Sequence, residues 1–259
     1  MDLKLKGKAT LVTGGTRGIG RAIGACMLAE GADLAFCGRT AESVLDAEAV
    51  LRSLAGEAKL FGAVADVATP EGAQRFVAES TAALGGIDAL VANVGGSAGG
   101  WIEESTPEDW LHSFEMNLFH AVNMIRAVIP GMRARGGGSI VVIASISGWK
   151  PGGKAQYATA KAAEIQLSQS LAPELAADRI RINTVSPGSI LHEGGGWERR
   201  MRSEPERMRA FIEDEFPAGR MGRAEEVADV VAFLLSDRAN WINGAHIAVD
   251  GAQGRPSLR

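Results

Sequence analysis

Seven short, mainly apolar runs suited to strands recur along the chain: ATLV at 9–12, LAFC at 34–37, KLFGAV at 59–64, IDALVA at 87–92, SIVVIA at 139–144, RIRINTV at 179–185 and AHIAV at 245–249. A strand with one wet face alternates apolar and polar residues, whereas a continuous run has to be covered on both faces. Between the runs lie stretches with apolar residues at helical spacing, such as GRAIGACMLAEG, TPEGAQRFVAESTAALGG and AEEVADVVAFLLS. Pro70 sits where a first helical turn tolerates it, and Gly31 and Gly85 stand where helices stop. Strands that alternate with helices form βαβ units. The expected fold is therefore an α/β, doubly wound, seven-stranded parallel sheet with helices on both faces.

A length of 259 residues leaves room for one large domain or two small ones, on a prior of about 150 residues per domain. Surface scaling lets such a chain bury about 70% of its unfolded surface, so no disulfide or metal staple is needed. No linker of flexible composition interrupts the alternation, and one domain over 1–259 is expected. Hydrophobic residues at 46% and charged residues at 22% exclude a disordered chain. A net charge of -4 gives no positive field for nucleic acid or an anionic membrane, and no partner of either kind is expected. No run of 18 or more apolar residues occurs, and the N-terminus lacks an apolar leader, which reads as a cytoplasmic protein. Cys26 and Cys37 lie in apolar stretches and read as reduced core thiols.

The first strand runs into Thr13-Gly14-Gly15-Thr16-Arg17-Gly18-Ile19-Gly20 and then a helix. In this Rossmann-type context, Gly14, Gly18 and Gly20 allow backbone N–H groups at a helix N-terminus to approach a pyrophosphate. A Walker loop needs Lys then Ser or Thr where Ile19 and Gly20 stand, so triphosphate hydrolysis is not expected. The second strand ends in Gly38-Arg39 rather than in the acid that binds a ribose 2′-OH. Arg17 and Arg39 can clamp a 2′-phosphate, which points to NADP(H); two solvated arginines is the alternative. Asp66, beside Val67 after the third strand, either accepts from the adenine amino group or is a plain loop carboxylate. Glycine-rich patches at 95–100, 152–153 and 194–196 belong on the same sheet edge, where doubly wound sheets bind ligands, while 136–138 is a further loop.

Tyr157 is the only tyrosine, and Lys161 follows it by four residues. On a helix the two share a face, where the ammonium favours phenolate. Upstream, SIVVIA leads into Ser145-Ile146-Ser147-Gly148, placing a hydroxyl at a strand C-terminus.

These residues resemble the short-chain dehydrogenase/reductase family in its single-domain branch, and within it the 3-oxoacyl-acyl-carrier-protein reductases. The resemblance runs from the glycine loop through Tyr157-xxx-Lys161 to Val249-Asp250-Gly251. It implies that Tyr157 is the general acid/base, that Ser145 holds the substrate oxygen, and that Lys161 tunes Tyr157 and binds ribose. Ser147 competes, but the Ser-x-x-Gly pattern selects Ser145. Asn117 matches the asparagine that holds a relay water. Asn93 and Gly95 match the family's Asn-Asn-Ala-Gly, from which Ala92 and Val94 depart. Pro187, Gly188 and Ile190 match the segment facing the nicotinamide, and His192 stands near where the family commonly has threonine. The segment at about 189–216 matches a substrate lid, and a homotetramer is implied.

His192 invites a catalytic reading because free imidazole titrates near neutrality, but it reads as lid packing or a cofactor contact, since Tyr157 already supplies the acid/base. His112, His120 and His246 lie on separate elements, so no metal site is expected. The lid's interleaved arginines and acids read as a solvated helix face, with a carrier-protein docking patch as the alternative. Gly96–Trp101, Trp149–Gln156 and Ile190–Trp197 should border a pocket for a bulky or aromatic ketone, or for a 3-oxoacyl thioester. The expected activity is NADPH-dependent carbonyl reduction or secondary-alcohol oxidation on a small molecule. The alternatives are an NAD-dependent alcohol dehydrogenase working oxidatively, and a non-catalytic NADP-sensing or scaffold protein.

Overall fold

The structure, a computed structural model, describes residues 1–254. Residues 255–259 of the expected domain lie outside the described residues. In chain order the elements are β1 (Ala9–Val12), α1 (Gly18–Ala29), β2 (Asp33–Gly38), α2 (Ala41–Arg52), β3 (Leu60–Val64), α3 (Pro70–Leu84) and β4 (Ala89–Ala92). There follow α4 (Pro107–Phe114), α5 (His120–Arg135), β5 (Gly138–Ile143), α6 (Ala155–Leu175), β6 (Ile180–Pro187) and β7 (Ile190–Leu191). The described chain ends with α7 (Gly196–Ser203), α8 (Pro205–Glu215), β8 (Gly222–Arg223), α9 (Ala224–Leu235) and β9 (His246–Val249).

All seven expected strands enter one parallel sheet in the order β3-β2-β1-β4-β5-β6-β9. The chain winds outward from β1 to β3, then returns so that β4 pairs with the other side of β1, Thr10 lying between Leu34 and Ala89. That reversal opens a crevice above the C-terminal ends of β1 and β4, where this class of sheet takes its ligands. Successive strand residues point to opposite faces, and the core divides accordingly. Val12, Phe36, Val91 and Val141 pack with Ile23, Met27, Val227 and Val231 from α1 and α9. Leu11, Ala35, Leu90 and Val142 pack with Phe76, Met124, Val128 and Leu175 from α3, α5 and α6.

Two features go beyond the expectation. β7 and β8, two residues each, pair in a small separate ladder at the two ends of the segment that carries α7 and α8. Between α4 and α5, Glu115–Phe119 form a π-helical turn, so that Pro107 to Arg135 is one helical run with one widened turn. Such turns bulge the helix locally and are frequent at functional sites.

Candidate active site

The glycine loop carries the conformation that its composition suggests. Gly14 and Gly18 have φ of +63° and +54°, a left-handed region that strains other residues. A Cβ on Gly20 would overlap the Gly14 carbonyl oxygen and come within 2.6 Å of Asn93 Nδ2. Asn93 fastens this loop to β4: its backbone N–H donates to Thr13 Oγ1 at 2.9 Å and its Nδ2 to the Thr13 and Gly14 carbonyls at 3.0 and 3.3 Å. Whereas Thr40, Thr69 and Thr106 cap α2, α3 and α4, α1 has no side-chain cap and no acid in its first turn. Its N–H groups face the loop without a protein acceptor of that kind, which fits an anionic diphosphate. Arg17 and Arg39 are exposed at the mouth, Arg17 Nη1 reaching Gly194 O at 3.5 Å. A Cβ on Gly38 would collide with the Thr16 side chain, so a larger residue there needs Thr16 to move or shrink. Val67 is buried, and Asp66 Oδ1 accepts from Ala68 N–H at 3.1 Å, bending the carboxylate toward the turn before α3.

Ser145 ends β5 in extended backbone and its Oγ accepts from Ser147 N–H at 3.1 Å, starting the 3-10 turn Ile146–Gly148. That turn packs on α6 where Gly148 meets it: an added Cβ would lie 2.8 Å from the Lys161 carbonyl carbon. The glycine of Ser-x-x-Gly thereby sets Ser145 against the helix that carries Tyr157 and Lys161. Lys161 is buried, with Nζ 5.8 Å from the Tyr157 ring centroid and donating to Ile143 O at 2.9 Å.

Asn117 lies in the π-helical turn and is fully buried. Its Oδ1 accepts from Gly96 N–H at 3.2 Å, while Nδ2 donates to Gly96 O at 2.7 Å and Ser113 O at 2.5 Å. The side chain anchors the 95–100 loop, a task that the sequence reading did not give it. A Cβ on Gly95 would stand 2.8 Å from Asn117 Oδ1 and 3.0 Å from Lys161 Nζ, so the loop approaches both only as glycine. Gln156 Nε2 holds the same loop through Ala98 O at 2.6 Å and Gly100 O at 3.1 Å, and Lys154 Nζ adds a bond to Gly99 O.

Two ionisable residues lie beside Lys161, of which Glu164 was not singled out in the sequence and His120 was considered only as a metal ligand. Glu164, three residues on, is fully buried with Oε2 2.9 Å from Lys161 Nζ. The approach makes an ion pair, yet neither carboxylate oxygen completes a well-aligned hydrogen bond. Burial pushes the Glu164 carboxyl up to about 7, against the pull of the Lys161 ammonium. His120, the first residue of α5, is also fully buried, with Nε2 2.9 Å from Thr13 Oγ1 and Nδ1 3.3 Å from Asn117 O. Burial, with the Lys161 charge adding, pushes its imidazole down to about 3.

The C-terminal segment ties the remaining walls together. Lys150 pairs with Asp250 at 2.6 Å and donates to Gln253 O, while Gln253 Oε1 accepts from Ser189 N–H at 2.6 Å. The loop after Ser145 and the Pro187–Ile190 segment are thus strapped to one another, with Ile190 buried and Gly188 N–H bonded to Val249 O at 3.0 Å. His192 rests against Gly18, its ring atoms 2.9 Å from where a Cβ would be, so it belongs to the glycine loop and not to Tyr157. Trp197 differs from the pocket-border expectation: its ring stacks on Phe211 at 5.2 Å, in an apolar cluster with Met208, Phe216 and Met221. Within the lid, Arg202, Arg207 and Arg209 pair with Glu198, Glu204 and Glu206. Exposed apolar surface at the rim comes from Trp101, Ile102 and Trp149. Among the described residues, no three His, Cys, Asp or Glu side chains gather to hold a metal ion.

A loop for a dinucleotide diphosphate beside a Ser, Tyr and Lys cluster defines a dehydrogenase or reductase site. A family profile described as enoyl-(acyl carrier protein) reductase matches residues 14–252. The 3-oxoacyl-[acyl-carrier-protein] reductase FabG of Escherichia coli (strain K12) is 36% identical over 250 residues, covering 96% of this chain and 98% of that protein. Acetoacetyl-CoA reductase of Shinella zoogloeoides is 35% identical, covering 95% and 98%. Among solved structures, L-sorbose reductase from Gluconobacter frateurii, complexed with NADPH and L-sorbose, has a TM-score of 0.92 at 33% identity, covering 99% of this chain and 100% of that one. The chain belongs to the short-chain dehydrogenase/reductase family. It is an NAD(P)H-dependent oxidoreductase that acts on a carbonyl or alcohol substrate.

Proposed function

We propose that the protein reduces a ketone with an apolar, bulky body, using NADPH in preference to NADH. The observation that supports the chemistry is the packing of the Ser145 turn, through Gly148, on the helix α6 that carries Tyr157 and Lys161. Ser145 and Tyr157 hold the substrate oxygen, and the Tyr157 hydroxyl gives it a proton as negative charge develops there. When bound, the nicotinamide supplies the hydride. Gly14 to Gly20 would hold the diphosphate, Lys161 the ribose, and Pro187 to Ile190 would border the nicotinamide. The NADPH preference is supported by Arg17 and Arg39 at the mouth and by the absence of an acid at Gly38.

Residues 189–216 would form the lid, and Trp101, Ile102 and Trp149, exposed at the rim, suit a large apolar substrate face. FabG of E. coli and the Shinella enzyme are named for 3-oxoacyl and acetoacetyl thioesters, and a 3-oxoacyl thioester is therefore one arm of the test. Oxidation of NADPH and NADH is followed with aromatic ketones, a 3-oxoacyl thioester, an enoyl thioester and a ketose. Aromatic ketones should give the highest kcat/KM, and Tyr157→Phe should lower kcat by about 10²–10⁴ with NADPH binding retained. Turnover of the Phe variant within tenfold of the parent would assign the proton to another group.

A further inference from the structure

We propose that Glu164 is a positioning residue for the reaction: its buried carboxylate pairs with the Lys161 ammonium and keeps Tyr157 in its proton-donating form to a higher pH than a lone lysine would allow. The inference rests on the reading of Tyr157 as the proton donor. It explains a placement that packing alone does not, a carboxylate with no exposure, set 2.9 Å from the lysine beside that tyrosine. A buried acid is retained only against a large desolvation cost, and removing one partner of such a pair leaves the other uncompensated.

The electrostatics follow from the helix. Tyr157, Lys161 and Glu164 occupy successive turns of α6, and Lys161 Nζ is 5.8 Å from the Tyr157 ring centroid and 2.9 Å from the Glu164 carboxylate. An ammonium has three N–H groups; Ile143 O takes one, and the Glu164 carboxylate offsets the charge. With Glu164 ionised, Tyr157 faces a neutral pair, and its phenolate loses the support of a net cation. With Glu164 neutral, the phenol faces an uncompensated ammonium and ionises more readily. The Glu164 carboxyl, at about 7, changes between these states near neutrality. Above that pH the ionised pair holds the proton on Tyr157, as carbonyl reduction requires. Alcohol oxidation, which needs the phenolate as base, is displaced to higher pH.

The groups around the pair leave it isolated. From α5, His120 stays neutral and bonds to Thr13 and Asn117. Asp109 of α4 is occupied in its capping box, and His112 and Glu115 pair at the surface. Arg181 of β6 sends its guanidinium to Ser236 O and Ile242 O. β5 and the 3-10 turn carry no ionisable side chain. Lys161 is the charged group that acts on Glu164.

The chain has one tyrosine, so labelling its ring carbon Cζ with ¹³C gives a single resonance that reports phenol ionisation in the protein without substrate. Seven residues of helix separate Tyr157 from Glu164 by about 10 Å along the axis, at which a unit charge moves a pKa by about one unit for an effective dielectric near 20. Glu164→Gln should therefore lower the Tyr157 midpoint by about one unit, and the alkaline rise of kcat for alcohol oxidation should move down with it. In the wild type, the Tyr157 resonance should also show a step at the pH where the Glu164 carboxyl carbon titrates. That second measurement stands even if the Gln variant does not fold. An unmoved midpoint in a folded Gln variant, or a tyrosine resonance blind to the Glu164 titration, overturns the proposal. Failure of the functional reading would show elsewhere, as full turnover by Tyr157→Phe.

Discussion

Acidification should separate two buried titrations that oppose one another in the wild type. His120 stays neutral because burial, with the Lys161 charge adding, penalises the imidazolium, and its hydrogen bonds are compatible with the neutral ring. Thr13 Oγ1 already accepts the Asn93 and Val94 N–H groups at 2.9 and 3.3 Å, so its hydroxyl hydrogen is left to donate to Nε2, while Nδ1–H donates to Asn117 O. The unfolded chain protonates this histidine near 6.5 and the fold only near 3, so its stabilising contribution is present above 6.5 and is lost as pH falls through that window. Glu164 works in the other direction. The fold keeps its proton up to about 7 and the unfolded chain only to 4.5, so this contribution grows as pH falls from 7 toward 4.5. Each titration changes stability by about 1.4 kcal/mol per pH unit, with opposite sign, and between pH 6.5 and 4.5 they cancel. Glu164→Gln removes one side of the balance. Over that interval it should lose about 3 kcal/mol relative to the wild type, a Tm fall greater by roughly 6–12 °C at about 2–4 °C per kcal/mol. Circular dichroism melts of both proteins at the two pH values and one ionic strength make the comparison, in which all other carboxylates are common and drop out. Parallel Tm changes in the two proteins would show that the two titrations do not oppose one another.

Three further outcomes are expected. The wild type should favour NADPH by about 10² in kcat/KM after screening at an open site, and Arg39→Ile should lower that ratio at fixed ionic strength; an unchanged ratio would remove Arg39 from 2′-phosphate recognition. Gly38→Asp should weaken binding of both cofactors until Thr16 is shortened to Ala, because the new Cβ collides with Thr16; fluorescence titration with each cofactor reads this. Trp197→Ala should cost about 3–5 kcal/mol of lid packing against Phe211, visible as faster proteolysis within 196–216 and a raised KM for large and small ketones alike, whereas an effect confined to large ketones would put the indole on the substrate.

The strands were readable because a strand covered on both faces is mostly apolar, and the seven runs coincide with the seven sheet strands to within two residues at each end, although β6 also carries Arg181, Asn183 and Thr184. Tyr157 and Lys161 were readable because helical spacing alone puts them on one face. Glu164 escaped notice inside KAAEIQL, where an acid among apolar residues looks like the wet side of a helix. The buried stripe of α6, which includes Ala160, Lys161, Glu164, Ile165 and Ser168, contained the signal. The π-helical turn at Asn117 has no mark in composition, since it depends on one extra residue within a hydrogen-bonded ring. The strap from Lys150 to Asp250 and Gln253 joins positions about a hundred residues apart, and no local pattern announces such a pair. Trp197 was assigned to the pocket by its place in the sequence, and no local pattern announced that its ring stacks on Phe211 of the following helix.

The order in which the layers close has a consequence for the chain as it leaves the ribosome. Each strand pairs with one already made, since β2 joins β1, β4 joins β1, and β5, β6 and β9 add outward in turn. The helical cover does not keep that order. Ile23 and Met27 of α1 are sealed by Val227 and Val231 of α9, which emerge roughly 200 residues later, or about 10–40 s at typical synthesis rates. Throughout that interval the nascent chain presents one apolar face of its central strands, and truncation before residue 224 leaves that face permanently uncovered. Ribosome-bound intermediates of this protein should therefore depend on a chaperone that holds exposed apolar surface, a dependence that ends only when α9 docks.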